Sequence, residues 1–240
     1  TQASGGEASR SQGLVSRPGV SGLMLSIDLL ANLGRRARVL ALGAHCDDIE
    51  IGCGATMLRL ASTRPGIEVL WVVFCSSPKR AAEARASAGD FLEGVASSRV
   101  VVHEFRDGFL PYSGAVVKDA FEALKADFDP DLVFTHYRDD RHQDHRLVSE
   151  LTWNTWRNHL ILEYEIPKYD GDFGSPNVFA PAPRATLDRK IDLVLKHFYS
   201  QSGKHWLTRD LLEAVARIRG MECVAPEQVA EAFYGRKVTF

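Results

Sequence analysis

Short apolar segments alternate along most of the chain with segments of helical character. Residues 38–43 (RVLALG) and 67–75 (IEVLWVVFC) are apolar at nearly every position rather than at every second one. That pattern indicates strands buried on both faces, and a helix of about a dozen residues between such strands is typical of βαβ units. Because βαβ crossovers are right-handed, the sequence predicts a three-layer α/β/α sandwich with a mostly parallel sheet. Further strands are predicted at 99–105, 131–136, 160–166 and 232–240, and helices at 55–61, 80–91, 116–127, 144–157, 187–199 and 208–220.

Length and composition narrow the class of protein. The 240 residues are enough for one domain with a substantial core. A formal charge of −2 gives no general attraction to nucleic acid, and no apolar stretch reaches the roughly 18 residues of a membrane span. The four cysteines form no CxxC pair, and four in 240 residues are too few for a disulfide framework, which favours a reducing cytoplasm. The first 20 residues are polar and Gly-rich, so we predict a disordered leader at 1–20 and a single domain at 21–240.

Dense polar clusters follow two of the predicted strands. The turn 44–48 (AHCDD) comes directly after the first strand, and 136–145 (HYRDDRHQDH) spans the end of the fourth. In open α/β sheets, ligands bind beyond the carboxyl ends of the strands. The sequence therefore predicts that these two clusters form one active site.

The residue types in these clusters are those of a catalytic zinc site. Such a site takes three His or carboxylate ligands and keeps one position for water. His45 and Asp48 are close enough in one turn to face the same ion, and His145 can complete the set. Asp47 is then a spare carboxylate beside the ligands and fits a general base. His142 could stabilise a developing oxyanion.

Less specific interpretations stay open at this point. Aspartate runs often cap helices, and Asp144 could be the N-cap of the helix that follows it. The two clusters could also form a polar site without a metal. The segment Gly52–Gly54 begins like a dinucleotide fingerprint, but Met57 replaces its third glycine, and neither a Walker A motif, HExxH nor GxSxG is present.

At this point the sequence resembles a known family. The segment AHCDDIEIGCGAT resembles the AHPDDxxxGxGGT signature of the PIG-L/LmbE-like zinc-dependent deacetylases, and DRHQDHR resembles their second signature, HxDHR. Arg80 and Glu83 resemble the family's RxxE helix start, and 196–201 (KHFYSQ) resembles its HxSQ stretch. The resemblance covers roughly 38–201.

The resemblance implies a Rossmann-like α/β domain that binds one Zn²⁺ per chain and removes the N-acetyl group from an amino sugar. The metal ligands would be His45, Asp48 and His145, the general base Asp47 and the oxyanion-stabilising group His142. It further implies that Asp144 orients an imidazole and that Arg80 contacts the substrate. Typical substrates of the family are glycolipids, thiol-cofactor precursors, chitooligosaccharides and antibiotic intermediates.

Two positions depart from the family pattern. Cys46 stands where the signature has proline, which brings a thiol near the expected metal. A thiolate ligand is conceivable there, and a small buried hydrophobe is the alternative. Ala55 replaces a glycine, which we interpret as neutral.

A Pro-rich segment at 167–183 is predicted to be a long irregular loop that forms a substrate wall. Tyr169 is the predicted sugar contact, since aromatic faces pack well on sugars. Asp170 and Asp172 could accept hydrogen bonds from hydroxyls, and Lys168 could meet an anionic group. This loop favours a substrate larger than a free monosaccharide, and packing or a subunit contact is its alternative role.

Two other functions remain in competition with the deacetylase. A metal-dependent hydratase or lyase would use the same activated water, so the motifs do not separate it from a hydrolase. A non-catalytic binding protein is the third candidate, although an unligated base beside three ligands argues against it. The partner expected is a small amino-sugar molecule, without nucleic acid or membrane span, and a homo-oligomer is compatible with the sequence.

Overall fold

The computed structural model describes residues 27–28 and 36–239. The leader predicted at 1–20 lies outside these residues and stays a prediction, as does the single domain at 21–240. The strands are β1 (Arg38–Gly43), β2 (Glu68–Cys75), β3 (Ser97–Phe105), β4 (Leu132–His136), β5 (Leu160–Tyr164), β6 (Val178–Pro181) and β7 (Ala230–Gly235). The helices are α1 (Asp48–Thr63), α2 (Pro78–Phe91), α3 (Gly114–Asp127), α4 (Gln143–Thr155), α5 (Arg184–His197) and α6 (Arg209–Glu222).

The strands form one seven-stranded sheet in the order β3-β2-β1-β4-β5-β7-β6. Neighbours among β1 to β5 are parallel, and β7 is antiparallel to both β5 and β6. The direction of winding reverses between β1 and β4, which lie side by side. At such a reversal the connections on the two sides diverge and leave a crevice at the carboxyl ends of the strands.

Two apolar layers cover the two faces of the sheet. On one face Val39, Ala41 and Trp71 pack against α1, α2, α5 and α6. On the other face Leu40, Leu42 and their neighbours in β2 pack against α3 and α4. The successive residues of β1 thus alternate between two cores, as expected for a strand buried on both sides. The arrangement confirms the predicted Rossmann-like three-layer α/β/α sandwich. None of the helices described between residues 36 and 239 is long and apolar enough to cross a bilayer.

Two elements differ from the sequence-based prediction. The segment 167–183 contains the short strand β6, which pairs with β7. Helix α1 begins at Asp48 rather than at 55, but it is interrupted at Cys53, where φ is −141° and ψ is 18°. After this break the carboxylate of Glu231 accepts hydrogen bonds from the backbone N–H groups of Ala55 and Thr56, at 2.9 and 2.7 Å. A residue distant in sequence therefore restarts the helix.

Replacing Gly52 by Ala is expected to destabilise the protein by about 1–3 kcal/mol, the usual cost of overpacking a core. A Cβ atom at this position would overlap the ring of Tyr164 at Cδ2, and that ring is fully buried. Gly89 is the matched control, because a Cβ there meets no atom of the described residues within 4 Å. Gly89→Ala should stabilise helix α2 by about 0.5–1 kcal/mol. Urea unfolding measures both, and equal stabilities of the two variants would contradict the packing argument.

Candidate metal centre and its surroundings

The two predicted polar clusters meet at the reversal of strand order. The turn that follows β1 and the segment that connects β4 to α4 both lie at the carboxyl ends of these neighbouring strands. All six residues predicted for catalysis or metal binding are located there: His45, Asp47, Asp48, His142, Asp144 and His145. Five of the six are buried or nearly so, and His142 is half-buried.

Three side-chain atoms form a compact triangle at the centre of this cluster. Nδ1 of His45 lies 3.1 Å from Nε2 of His145. Oδ2 of Asp48 lies 3.4 Å from the first nitrogen and 3.5 Å from the second. A tetrahedral zinc ion with bonds of about 2.0–2.1 Å holds its ligand atoms about 3.4 Å apart. The triangle matches that spacing, so these three residues fit a zinc ion and leave its fourth position to water.

The charges in the cluster also suit a cation. Burial disfavours a charged His45 ring, but the surrounding carboxylates, Asp48 first, outweigh it and raise the pKa of His45 well above its ordinary value. Burial opposes ionisation of Asp48 as well, yet the neighbouring imidazoles hold the pKa of Asp48 well below its ordinary value. Burial and the nearby His136 lower the pKa of His145 to about 4. Asp48 and His145 are thus in the forms that bind a metal, an ionised carboxylate and a neutral imidazole, whereas His45 has to give up its proton to bind one.

Asp47 lies beside the triangle and outside it. Its Oδ1 accepts a hydrogen bond of 2.8 Å from a terminal nitrogen of Arg80, and its Oδ2 is buried with no hydrogen-bond partner among the described residues. Burial raises the pKa of the Asp47 carboxyl, against the opposing charge of Arg80. One oxygen is thus held in place while the other remains able to accept a proton.

The N-cap of helix α4 is His142, whereas Asp144 was the candidate from the sequence. Helix α4 begins at Gln143, and Nδ1 of His142 accepts the backbone N–H of Asp144 at 3.2 Å, so His142 is the N-cap. The proposed N-cap role of Asp144 is therefore wrong. With Nδ1 as acceptor, the neutral ring carries its proton on Nε2. Burial and the proximity of His45 lower the pKa of His142, which favours this neutral form.

The carboxylate of Asp144 instead joins His45 to the loop after β3. Its Oδ2 lies 3.2 Å from Nε2 of His45 and accepts the backbone N–H of Gly108 at 2.6 Å. Asp107 reaches the same nitrogen of His45 with Oδ1, at 3.0 Å. Asp144 therefore contacts an imidazole, as the resemblance implied, and the ring is that of His45. Asp107 was not predicted, because its nearest neighbours in sequence carry no metal-site pattern.

His136 and Asp140 also belong to the cluster. The ring of His136 stacks on that of His145 with centroids 3.9 Å apart, and its Nε2 lies 3.2 Å from Oδ2 of Asp48. Besides the triangle, two sets of donors close enough to share an ion join His142 to His45, and a third consists of Asp48, His136 and His145. That set is less suitable, because Nε2 of His136 already accepts the backbone N–H of Ala44 at 2.9 Å. Both residues lie within the predicted cluster 136–145, but only the fold shows that Asp140 rather than Asp139 is buried in it.

Of the two predicted substrate contacts, Arg80 lies against the cluster and Tyr169 lies on the surface. Arg80 contacts the cluster through Asp47, a contact that the sequence analysis did not predict. Tyr169 is 68% exposed, and its ring and that of His205 make a T-shaped contact with centroids 4.9 Å apart. Lys168 and Asp172, expected to meet substrate, pair with each other at 2.7 Å. The predicted irregular loop is therefore anchored by its charged residues, while most of the Tyr169 side chain stays exposed.

Cys46 is a buried thiol. It is 1% exposed, and its Sγ donates to the backbone carbonyl of Cys75 at 3.5 Å. Burial raises the pKa of the Cys46 thiol to about 12. The group is thus protonated at neutral pH, which favours the small buried hydrophobe over the thiolate ligand.

Comparisons with known proteins identify relatives of this chain. Residues 40–156 match the model of the PIG-L family, described as GlcNAc-PI de-N-acetylase. The chain is 29% identical over 186 residues to the uncharacterized deacetylase YaiS of Escherichia coli strain K12, an alignment that covers 72% of this chain and 97% of YaiS.

Solved structures share the fold. The N,N'-diacetylchitobiose deacetylase of Pyrococcus horikoshii is similar with a TM-score of 0.64 and 21% identity, covering 87% of this chain and 88% of that one. GalB, the 4-carboxy-2-hydroxymuconate hydratase of Pseudomonas putida KT2440, is similar with a TM-score of 0.67 and 16% identity, covering 85% and 98%. Together with the two signature segments, the match at 40–156 and the likeness to YaiS relate this chain to the PIG-L (LmbE-like) deacetylases, and the solved structures share its fold.

Proposed function

We propose that this chain is a metal-dependent amidohydrolase that removes the N-acetyl group from an N-acetylated amino sugar. The metal is a single zinc ion held by His45, Asp48 and His145. The observation that carries the proposal is the triangle of ligand atoms beside the uncommitted Oδ2 of Asp47. A metal-ligand triad with a spare buried carboxylate is what hydrolysis by an activated water requires.

Each protein group has a defined task in this reaction. A bound zinc ion supplies a Lewis acid that lowers the pKa of its water to about 7. Oδ2 of Asp47 takes the proton that the attacking water gives up and later delivers it to the leaving amine, while Arg80 fixes the carboxylate through Oδ1. Nε2–H of His142 donates to the acetyl oxygen as negative charge develops on it. Asp144 holds His45 through Nε2.

The substrate side of the proposal rests on the match to the PIG-L family and on two residues, Tyr169 and Arg80. The family model and a structural neighbour carry the names of deacetylases acting on N-acetylglucosamine compounds. Tyr169 offers a sugar its exposed ring, and Arg80 lies beside the reacting centre. We therefore expect an N-acetylglucosamine unit that carries a further group. Zinc as the metal and a cytoplasmic location remain parts of this proposal.

A deacetylation screen tests the proposed function. Free N-acetylglucosamine, its nucleotide-linked form and its glycosides are each incubated with the protein, and acetate is measured. We expect acetate from at least one of them, with a higher kcat/KM for the larger substrates that falls in Tyr169→Ala, because remote binding energy aids the reaction. The fold is shared with a hydratase, and turnover of an unsaturated acid without acetate release would favour that alternative.

Replacing His145 by Ala is expected to abolish stoichiometric metal binding. The substitution removes one of only three protein ligands in the proposed site. Elemental analysis should give about one metal per chain for the wild-type protein and far less for the variant. His159→Ala is the control, since that ring lies 3.0 Å from Asp129 at the opposite end of β5. Full metal content in His145→Ala would show that the ligand assignment is wrong.

Replacing His142 by Ala is expected to lower kcat by roughly 10²–10³-fold with a smaller change in KM, the usual result of removing one oxyanion donor. The donor acts mainly in the transition state, so substrate binding loses little. Steady-state kinetics separate the two constants. Because His142 also caps α4, His142→Ser, which can keep the cap, is the control for the local structure. An increase in KM alone would reassign the residue to substrate binding.

A further inference from the structure

A hydrogen-bonded carboxylate lies directly behind His145. Oδ2 of Asp140 is 2.9 Å from Nδ1 of His145, the ring nitrogen that faces away from the triangle. Asp140 is 1% exposed, and its Oδ1 accepts the backbone N–H of His142 at 2.8 Å. The same carboxylate therefore contacts one proposed ligand and fixes the backbone at the residue that caps α4.

The loop after β5 reaches this carboxylate through a single lysine. Nζ of Lys168 donates to Oδ2 of Asp140 at 2.8 Å, and its side chain is only 11% exposed. The same ammonium group contacts Asp172 at 2.7 Å. Asp172 in turn accepts the backbone N–H of Arg141 at 2.7 Å. The loop is thus attached at two points to the segment that carries His142 and His145.

We propose that Asp140 is a positioning residue for the metal ligand His145, and that Lys168 holds it in place from the loop. By accepting a hydrogen bond from Nδ1–H, Asp140 fixes the ring and its tautomer, so that Nε2 faces Asp48 and His45. Metal-binding histidines commonly donate their second ring N–H to a carboxylate, and losing that partner typically weakens metal binding 10–100-fold. The inference rests on the proposed metal site and extends it to the loop.

The charge of Lys168 and its hydrogen bond to Asp140 should affect metal affinity in opposite directions. A lysine beside a cation site repels the cation, so Lys168→Met would strengthen metal binding if only charge mattered. If Lys168 acts by holding Asp140, the same substitution frees the carboxylate and weakens metal binding. The direction of the change therefore separates the two effects.

The experiment measures the zinc affinity of the purified full chain by competition with a chelator of known affinity. We expect Asp140→Asn to bind zinc about 10–100-fold more weakly and Lys168→Met about 3–10-fold more weakly than wild type. Arg219→Met is the matched control, because Arg219 is also a buried cation that holds this loop. It donates to the backbone carbonyl of Gly174 and pairs with Glu165, and it makes no contact with Asp140. Its affinity should stay within about twofold of wild type.

A second readout is the visible spectrum of the Co²⁺-loaded protein, which should lose intensity in Asp140→Asn when Nε2 of His145 moves away from the ion. Unchanged zinc affinity in folded Asp140→Asn, or tighter binding in Lys168→Met, would overturn the inference. If Asp140→Asn does not fold, Lys168→Met against Arg219→Met decides alone. A wild-type protein that binds no zinc in the same titration would refute the proposed metal site itself, which distinguishes the two failures.

Discussion

Replacing Asp47 by Asn should lower kcat by about 10²–10⁴-fold while the metal remains bound. The amide has the shape of the carboxylate, so the turn between β1 and α1 should keep its structure and Arg80 should keep one acceptor. It cannot take a proton at neutral pH, which is the task assigned to the buried Oδ2. Since the ligand atoms come from His45, Asp48 and His145, metal content should stay at about one per chain.

Paired measurements of kcat and metal content check this result. Asp90→Asn is the control substitution, because Asp90 is a partly exposed residue of α2 that pairs with Lys196 and His197. It should leave kcat within about twofold of wild type. Joint loss of metal and rate in Asp47→Asn would make Asp47 a ligand, and an unchanged rate would remove it from the mechanism.

Replacing Glu231 by Ala should lower the free energy of unfolding by about 3–5 kcal/mol, the usual cost of leaving a buried charge without its partner. Glu231 is 6% exposed and its carboxylate pairs with Nζ of Lys190 at 2.6 Å. It also accepts the two backbone N–H groups that restart α1 at Ala55 and Thr56. Removing the Glu231 carboxylate therefore leaves a buried ammonium group and two buried backbone N–H groups without this acceptor.

Urea unfolding of Glu231→Ala, Lys190→Met and the double variant measures this pair. The double variant should lose less than the sum of the singles, because no unpaired charge remains. Glu93→Ala removes an exposed partner of Arg189 and should change stability by less than about 0.5 kcal/mol. A loss below about 1 kcal/mol in Glu231→Ala would contradict the role assigned to the buried pair.

The central strands could be predicted because burial on both faces leaves an apolar pattern that depends on local sequence alone. β1 was predicted at its observed bounds for this reason. β6 was not, because this four-residue strand at the sheet edge ends on a proline and takes its pairing from β7, far along the chain. The start of α1 was misplaced for a similar reason. After the interruption at Cys53, Glu231 caps the free backbone N–H groups of the helix. A cap so distant in sequence leaves no local pattern from which it could be predicted.

In the candidate site, too, some residues could be predicted from the local sequence and others could not. The triangle of His45, Asp48 and His145 could be predicted, because both clusters follow buried strands and parallel strands end on one edge. The contacts of Asp107 with His45 and of Lys168 with Asp140 could not be predicted. They depend on the order of the strands in the sheet and on the path of the loop after β5. Asp140 lies within the predicted cluster. Nothing local distinguishes it from Asp139, and only the fold shows which of the two is buried against His145.

The most direct test of the account is acetate release from an N-acetylglucosamine substrate before and after removal of the metal. The protein is assayed as purified, after dialysis against a chelator, and after addition of one equivalent of zinc. We predict that acetate release is lost with the metal and returns with one equivalent, and that His145→Ala does not recover. Full acetate release from metal-free protein, or none from protein that has bound one equivalent, would contradict the claim that this fold positions a hydrolytic metal centre.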